Sequence, residues 1–192
     1  MTFVQRVQAI LLNPRSEWPT IATEPATVQS IYTNWVMVLA AIGPVMLVVT
    51  SPLMGGIGFG LRAAVAAYVN SLVAVALLAA VVDVLAPSFG GTKDFMRSLK
   101  LVAYSFTSVW VAQVALIVPA LGWLLILVAM LYGFYLFFLG APLLGRCSID
   151  KAVPFTIVVI LCAVVLGVIV QRILFALMGF GHAGADPMGL LR

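Results

Sequence analysis

Five polar side chains stand inside stretches otherwise built from Val, Leu, Ile, Ala and Phe: Arg62, Asn70, Gln113, Gln171 and Arg172. Burying such groups away from water is costly, so each must serve a ligand or find a partner within the protein. Asn70 and Gln113 belong to neighbouring segments that enter from opposite faces. Counted along helices, both fall roughly 10 Å from the same boundary. Gln171 and Arg172 approach that boundary from a third segment, and Arg62 begins at it. One reading of this cluster is a solute or lipid-headgroup site. The other is structural: amides hydrogen-bonding between helices, with two arginines snorkelling to the interface.

Asp83 lies near the opposite end of its segment. It is expected to pair with Lys93, Arg97 or Lys100; a proton-relay role would need a second intramembrane carboxylate, and none follows it. Other chemistry is sparse. The single histidine, His182, stands in a glycine-rich tail, and the run Gly55 to Gly60 lacks the Gly-Lys-Ser/Thr of a phosphate loop. Cys147 falls in a loop and Cys162 inside an apolar segment. In a helix beginning near Pro154 their depths differ by about 12 Å, too far for a disulfide. Two free thiols, no metal site, no cofactor and no enzymatic activity are expected.

The elements that must position these residues follow from composition. Of 192 residues, 64% are hydrophobic and 8% charged, with a mean hydropathy of +1.21. Soluble domains average about 25% charged residues. Lipid is the solvent that makes such a chain sensible. The predicted architecture is an all-α bundle of about five membrane-spanning helices, at 31–51, 61–85, 101–118, 121–144 and 154–178. Gly43-Pro44 should kink the first. The glycine-rich run from Pro52 to Gly60 makes a turn, Pro119 to Gly122 makes a tight one, and Pro154 opens the last helix. Gly140 and Pro142 should weaken the fourth as it leaves the membrane. Ala63, Ala67 and Ser71 in span two, and Ala163 and Gly167 in span five, present small faces for close packing.

Residues 1–30 form the one substantial polar stretch, the spans are expected over 31–178, and 179–192 is expected to be a flexible tail. Phe3, Val4, Val7, Ile10 and Leu11 recur at helical spacing, which predicts a short amphipathic helix on the membrane surface ending at Asn13-Pro14. The apolar run from Val7 to Leu12 is too short for a cleavable signal. Trp18 reads as an interfacial anchor. Glu24 is expected to pair with Lys93, Arg97 or Arg146.

Five spans place the termini on opposite sides. The N-terminal side, side A, carries Arg6, Arg15, Lys93, Arg97, Lys100, Arg146 and Lys151, seven in all; side B carries Arg62, Arg172 and Arg192, three at most. The positive-inside rule makes side A cytoplasmic. The net charge of +4 thus reflects topology, and no basic stripe with interleaved aromatics points to nucleic acid. No internal repeat is visible, and an odd span count does not suit two equal inverted halves.

Two short patterns carry a family resemblance. One is Pro14-x-x-x-Trp18-x-x-Ile21-x-x-Glu24, with Tyr32 opening the first span. The other is Tyr132-x-x-Tyr135-x-x-x-x-Gly140-x-Pro142. In these, and in its five-span order, the chain resembles the Yip1 family in its short bacterial inner-membrane branch, over about residues 5 to 178. Eukaryotic relatives are Golgi and endoplasmic-reticulum proteins linked to vesicle traffic and small Rab-type GTPases. The long soluble N-terminal region and the Asp-Leu-Tyr-Gly-Pro motif of those relatives are missing from these 192 residues. What the resemblance implies is a membrane-embedded adaptor or organiser, with Trp18, Glu24, Tyr135, Gly140 and Pro142 at family positions and no chemistry attached to them. Its partners would be lipids, further copies of itself or another membrane protein. The alternative is a small oligomeric transporter or channel using the outer-leaflet cluster. In an accessibility assay on intact cells, a tag at the N-terminus should be protected and one at the C-terminus exposed; a protected C-terminus contradicts the five-span topology.

Overall fold

The computed structural model describes residues 1–53 and 56–177. Five stretches are long and apolar enough to cross a membrane: Val28–Thr50, Ile57–Phe89, Phe95–Ile117, Leu121–Leu144 and Asp150–Leu174. No strand occurs among the described residues.

Two short helices precede the spans. α1 (Phe3–Leu12) starts on a capping box, with Thr2 and Gln5 each accepting from the other's backbone N–H. It stops at Asn13 because Pro14 opens α2 (Pro14–Thr23). Both dock on the side A end of the bundle, where Ile10, Trp18 and Ile21 are almost wholly buried. Trp18 is therefore no interfacial anchor. Its ring lies on Gly140, where an added Cβ would come 2.9 Å from two of its ring carbons. The outward face of α1 still exposes Val4 and Leu12.

The first span is broken. α3 (Val28–Ile31) passes through one π turn, Tyr32–Val36, into α4 (Met37–Ala40); after a turn at Ala41 the chain continues as α5 (Ile42–Thr50). Pro44 has no N–H to offer the Ala40 carbonyl, and the helix parts there, as Gly43-Pro44 leads one to expect. α6 (Ile57–Leu85) begins four residues earlier than the glycine run suggests. Gly56, at φ 92°, makes the turn. Gly60 is already helical, and a Cβ on it would sit 2.1 Å from that of Ser51. That glycine serves close approach of α5 and α6.

The third span is also interrupted. α7 (Phe95–Ser105) gives way at Phe106 to α8 (Thr107–Ala112), then to a 3₁₀ stretch, Gln113–Ile117. α9 (Pro119–Leu144) runs through Gly140 and Pro142 without ending. Trp18 and Leu101, packed against Gly140, hold the helix where its own residues are poor helix formers. α10 (Ile149–Leu177) begins before Pro154, with Asp150 in its first turn, where a carboxylate favours the helix dipole. Val153, Ile157, Leu161, Val164 and Val168 make an exposed apolar stripe along it, the face a lipid chain would cover. The core lies nearer side A, around Val75, Ala79, Val82, Leu99, Leu136 and Phe155.

Gly140→Val should overpack the Trp18 contact and lower unfolding stability by about 1–3 kcal/mol, read as a depressed melting temperature in detergent. A variant as stable as the parent would remove this contact from the account.

Candidate functional site

Three of the five intramembrane polar residues meet at one cavity in the side B half of the bundle, with a volume of about 360 Å³. α6 supplies Asn70 and Ser71, the start of the 3₁₀ stretch supplies Gln113, and α10 supplies Gln171. Arg62 and Arg172 are exposed and do not line it. Ala63 and Ala67 face the cavity, so their small side chains leave space there rather than bring helices together. Gly167 has open space where a Cβ would go and makes no close packing contact.

The polar groups are unequally served. Trp110 Nε1 donates to Ser71 Oγ at 2.9 Å. The buried oxygens Asn70 Oδ1 and Gln113 Oε1, by contrast, have no hydrogen-bond partner among the described residues. The interhelical bonding of the structural alternative is not made by these atoms. Gly43 sets the position of the Gln113 amide: a Cβ there would fall 2.2 Å from Oε1. The breaks at Ala41, Phe106 and Gln113 all lie in the two spans that wall the cavity on this side. A second cavity of about 260 Å³, almost entirely apolar, adjoins it toward the bundle centre. The two share Phe106 and Val109 as lining.

Side A is organised by charge. Lys100 is 5% exposed, and its Nζ donates to the carbonyls of Ile21, at 2.8 Å, and Glu24. These carbonyls are left free by the end of α2, so a cation there also suits the helix dipole. Arg6 forms ion pairs with Glu17 at 2.9 Å and Glu24 at 2.8 Å. Tyr132 Oη donates to the Leu11 carbonyl at 2.7 Å, and Trp35 Nε1 to Thr107 Oγ1 at 3.1 Å. The Lys100 and Tyr132 bonds tie α1 and α2 to the third and fourth spans, the Arg6 pairs join α1 to the end of α2, and the Trp35 bond joins the first span to the third. The Trp18 indole N–H is buried there without a partner among the described residues, and Arg6 Nη1 and Glu17 Oε1 meet as an ion pair without forming a hydrogen bond.

Two expected pairings are replaced. Glu24 takes Arg6, not Lys93, Arg97 or Arg146, because α1 folds back over α2. Asp83 accepts the backbone N–H of Asp94 at 2.7 Å rather than a cation, and Arg97 pairs with Asp94 at 3.1 Å. The clamping roles of Arg6 and Lys100 were missed by sequence reasoning; the one signal was Lys100 itself, a cation at the start of an apolar helix. Tyr135 is set 5.7 Å from Tyr132, ring to ring, and Pro142 is half-buried in α9.

Cys147 and Cys162 are both free thiols. Burial pushes the Cys147 thiol up from its ordinary value, which keeps it protonated and a poor nucleophile. Among the described residues no group of His, Cys, Asp or Glu is arranged to hold a metal ion. His182 and Arg192 lie outside the described residues.

A family model described as the Yip1 domain matches residues 9–170. The chain belongs to the Yip1 family. No curated protein and no solved structure matches it. The matched stretch of this Yip1-family protein takes in the contact between Trp18 and Gly140, and both Asn70 and Gln113. Gln171 stands one residue beyond it.

Proposed function

We propose that this multi-pass membrane protein is a non-enzymatic organiser of the bacterial inner membrane, working by holding a membrane component rather than by transforming one. Side A, with the docked N-terminal helices, faces the cytoplasm in this reading, and the C-terminus lies outside. The observation that carries it is one cavity lined by the amide side chains of Asn70, Gln113 and Gln171, two of which hold buried oxygens without a hydrogen-bond partner among the described residues. Leaving a buried acceptor unmade costs about 1–3 kcal/mol. A ligand that supplies donors removes that penalty and stabilises the folded state by mass action. The side A helices support the same role, since their clamped arrangement gives a preformed surface for a second membrane protein.

Transport is the second reading. Its support is the broken first and third spans beside the cavity, because irregular backbone at membrane depth is tolerated where it lines a binding site. A single five-span protomer is small for a whole pathway, so this reading requires an oligomer.

Native mass spectrometry of the protein released from its own membrane separates the two. The organiser reading expects a retained lipid or a reproducible heterologous partner. A defined homo-oligomer carrying neither, with solute flux in liposomes that Gln113→Leu abolishes, would replace it with transport.

A further inference from the structure

The N-terminal helices reach further along the bundle than helices lying on a membrane surface would. Gly145 marks the side A end of α9: Arg146, Asp150 and Lys151 follow it, and a Cβ on Gly91 of the neighbouring loop would fall 2.1 Å from its carbonyl oxygen. Trp18 lies below that level, on Gly140. The Leu11 carbonyl lies deeper still, held by Tyr132 Oη at 2.7 Å. Where α1 turns into α2, Leu12, Asn13, Arg15 and Ser16 border a notch of about 410 Å³ against Tyr132 and Tyr135. Tyr135 precedes Gly145 by ten residues, about 15 Å along the helix, where half the hydrocarbon thickness of a bilayer is about 15 Å. α1 also packs on α8, well inside the third span. The turn therefore sets a polar element within the side A leaflet, and Asn13, Arg15 and Ser16 are exposed on the outside of the bundle.

The charges at the notch are one-sided. Arg15 has no ion-pair partner among the described residues, and the Asn13 side chain makes no capping bond to α2. The nearest carboxylate along the chain, Glu17, is buried and turned to Arg6 at 2.9 Å. No carboxylate lines the notch. A cation at membrane depth is costly unless an anion meets it. The anion that a leaflet supplies is phosphate, and a guanidinium matches two phosphate oxygens at once. We propose that the notch between the α1–α2 turn and Tyr135 binds the phosphate of a phospholipid of the side A leaflet. Arg15 is its charge partner, and Asn13 and Tyr135 bring further donors. The long Arg15 stem lets the guanidinium rise toward the headgroups, and the leaflet dips to meet it. Leu12, 75% exposed beside the notch, gives the lipid's chains an apolar surface. This site lies in the opposite leaflet from the side B cavity and does not depend on it.

The test uses the full chain in nanodiscs containing equal parts of phosphatidylglycerol and a glucosyl diacylglycerol with the same acyl chains, followed by native mass spectrometry of the lipid retained. Both headgroups carry hydroxyls; only one carries a phosphate. The expected result is retention of phosphatidylglycerol over the glycolipid by about tenfold, the scale of one charge-assisted pair. Arg15→Gln should remove most of that preference. Arg15 is exposed and unpaired, so the variant should melt with the parent in detergent. Lys93→Gln takes the same charge from an exposed loop of the same side and should leave the preference in place. Tyr135→Phe should lower it by a smaller factor and serves if Arg15→Gln disturbs the fold. Equal retention of the two lipids overturns the assignment. So does a preference that Lys93→Gln lowers as far as Arg15→Gln, since the attraction is then diffuse charge and not a site. If excess inorganic phosphate displaces phosphatidylglycerol from the parent, the notch takes a free anion and the lipid assignment falls. If the lipids are retained equally and Arg15→Gln instead loses a protein captured from the native membrane, the notch docks an acidic protein surface and not a headgroup.

Discussion

A bilayer offers no hydrogen-bond partners, so every polar group carried into this bundle must be satisfied by the bundle itself or by something it holds. The fold divides along that constraint. On side A nearly every demand is met inside the chain. Lys100 serves the free carbonyls at the end of α2, Arg6 joins Glu17 to Glu24, and Tyr132 reaches back to Leu11. On side B, Asn70 and Gln113 arrive at one cavity with their oxygens unserved. Apolar side chains of the same size would avoid the cost. Two amides kept at such a cost, at one depth, on different spans, are the feature that a purely structural account of the bundle does not explain.

The irregularities of the helices fit the same division. Pro44 opens the first span at Ala41, and the third slackens at Phe106 and again at Gln113. Gly43 stands against Gln113, so the kink and the amide belong to one construction. α9, which has its own proline and glycine near side A, stays whole because Trp18 is laid over Gly140. The residues that would weaken a helix alone are tolerated where packing supplies what the backbone lacks, and they break the helix where a cavity takes its place.

How much of this was legible in the sequence depends on whether a residue's role is local. The spans were, because each is a long apolar run, and so was the common depth of Asn70, Gln113 and Gln171, because helical rise fixes it. The start of α6 was not: Gly58 and Gly60 read as turn residues, yet Gly60 is helical because Ser51 must come close. Pro154 read as a first-turn residue, but Asp150 lets α10 start earlier. Trp18 looked like an interfacial anchor because linear order cannot tell that α2 folds back onto α9. The partners of Glu24 were hidden for the same reason. The cavity was illegible altogether, being made by what Ala63 and Ala67 lack.

Melting the Asn70→Leu, Gln113→Leu double variant beside the parent, in native lipid and after delipidation in detergent, decides whether the amides of the side B cavity are kept for a bound membrane component. The order of stability should reverse between the two conditions. Without lipid the variant should melt at or above the parent, since two unpaired oxygens have been removed; in native lipid it should melt below it, having lost the ligand's contribution. A variant as stable as the parent in both conditions, or more stable in both, would contradict the claim and leave the cavity an unfilled flaw in the packing.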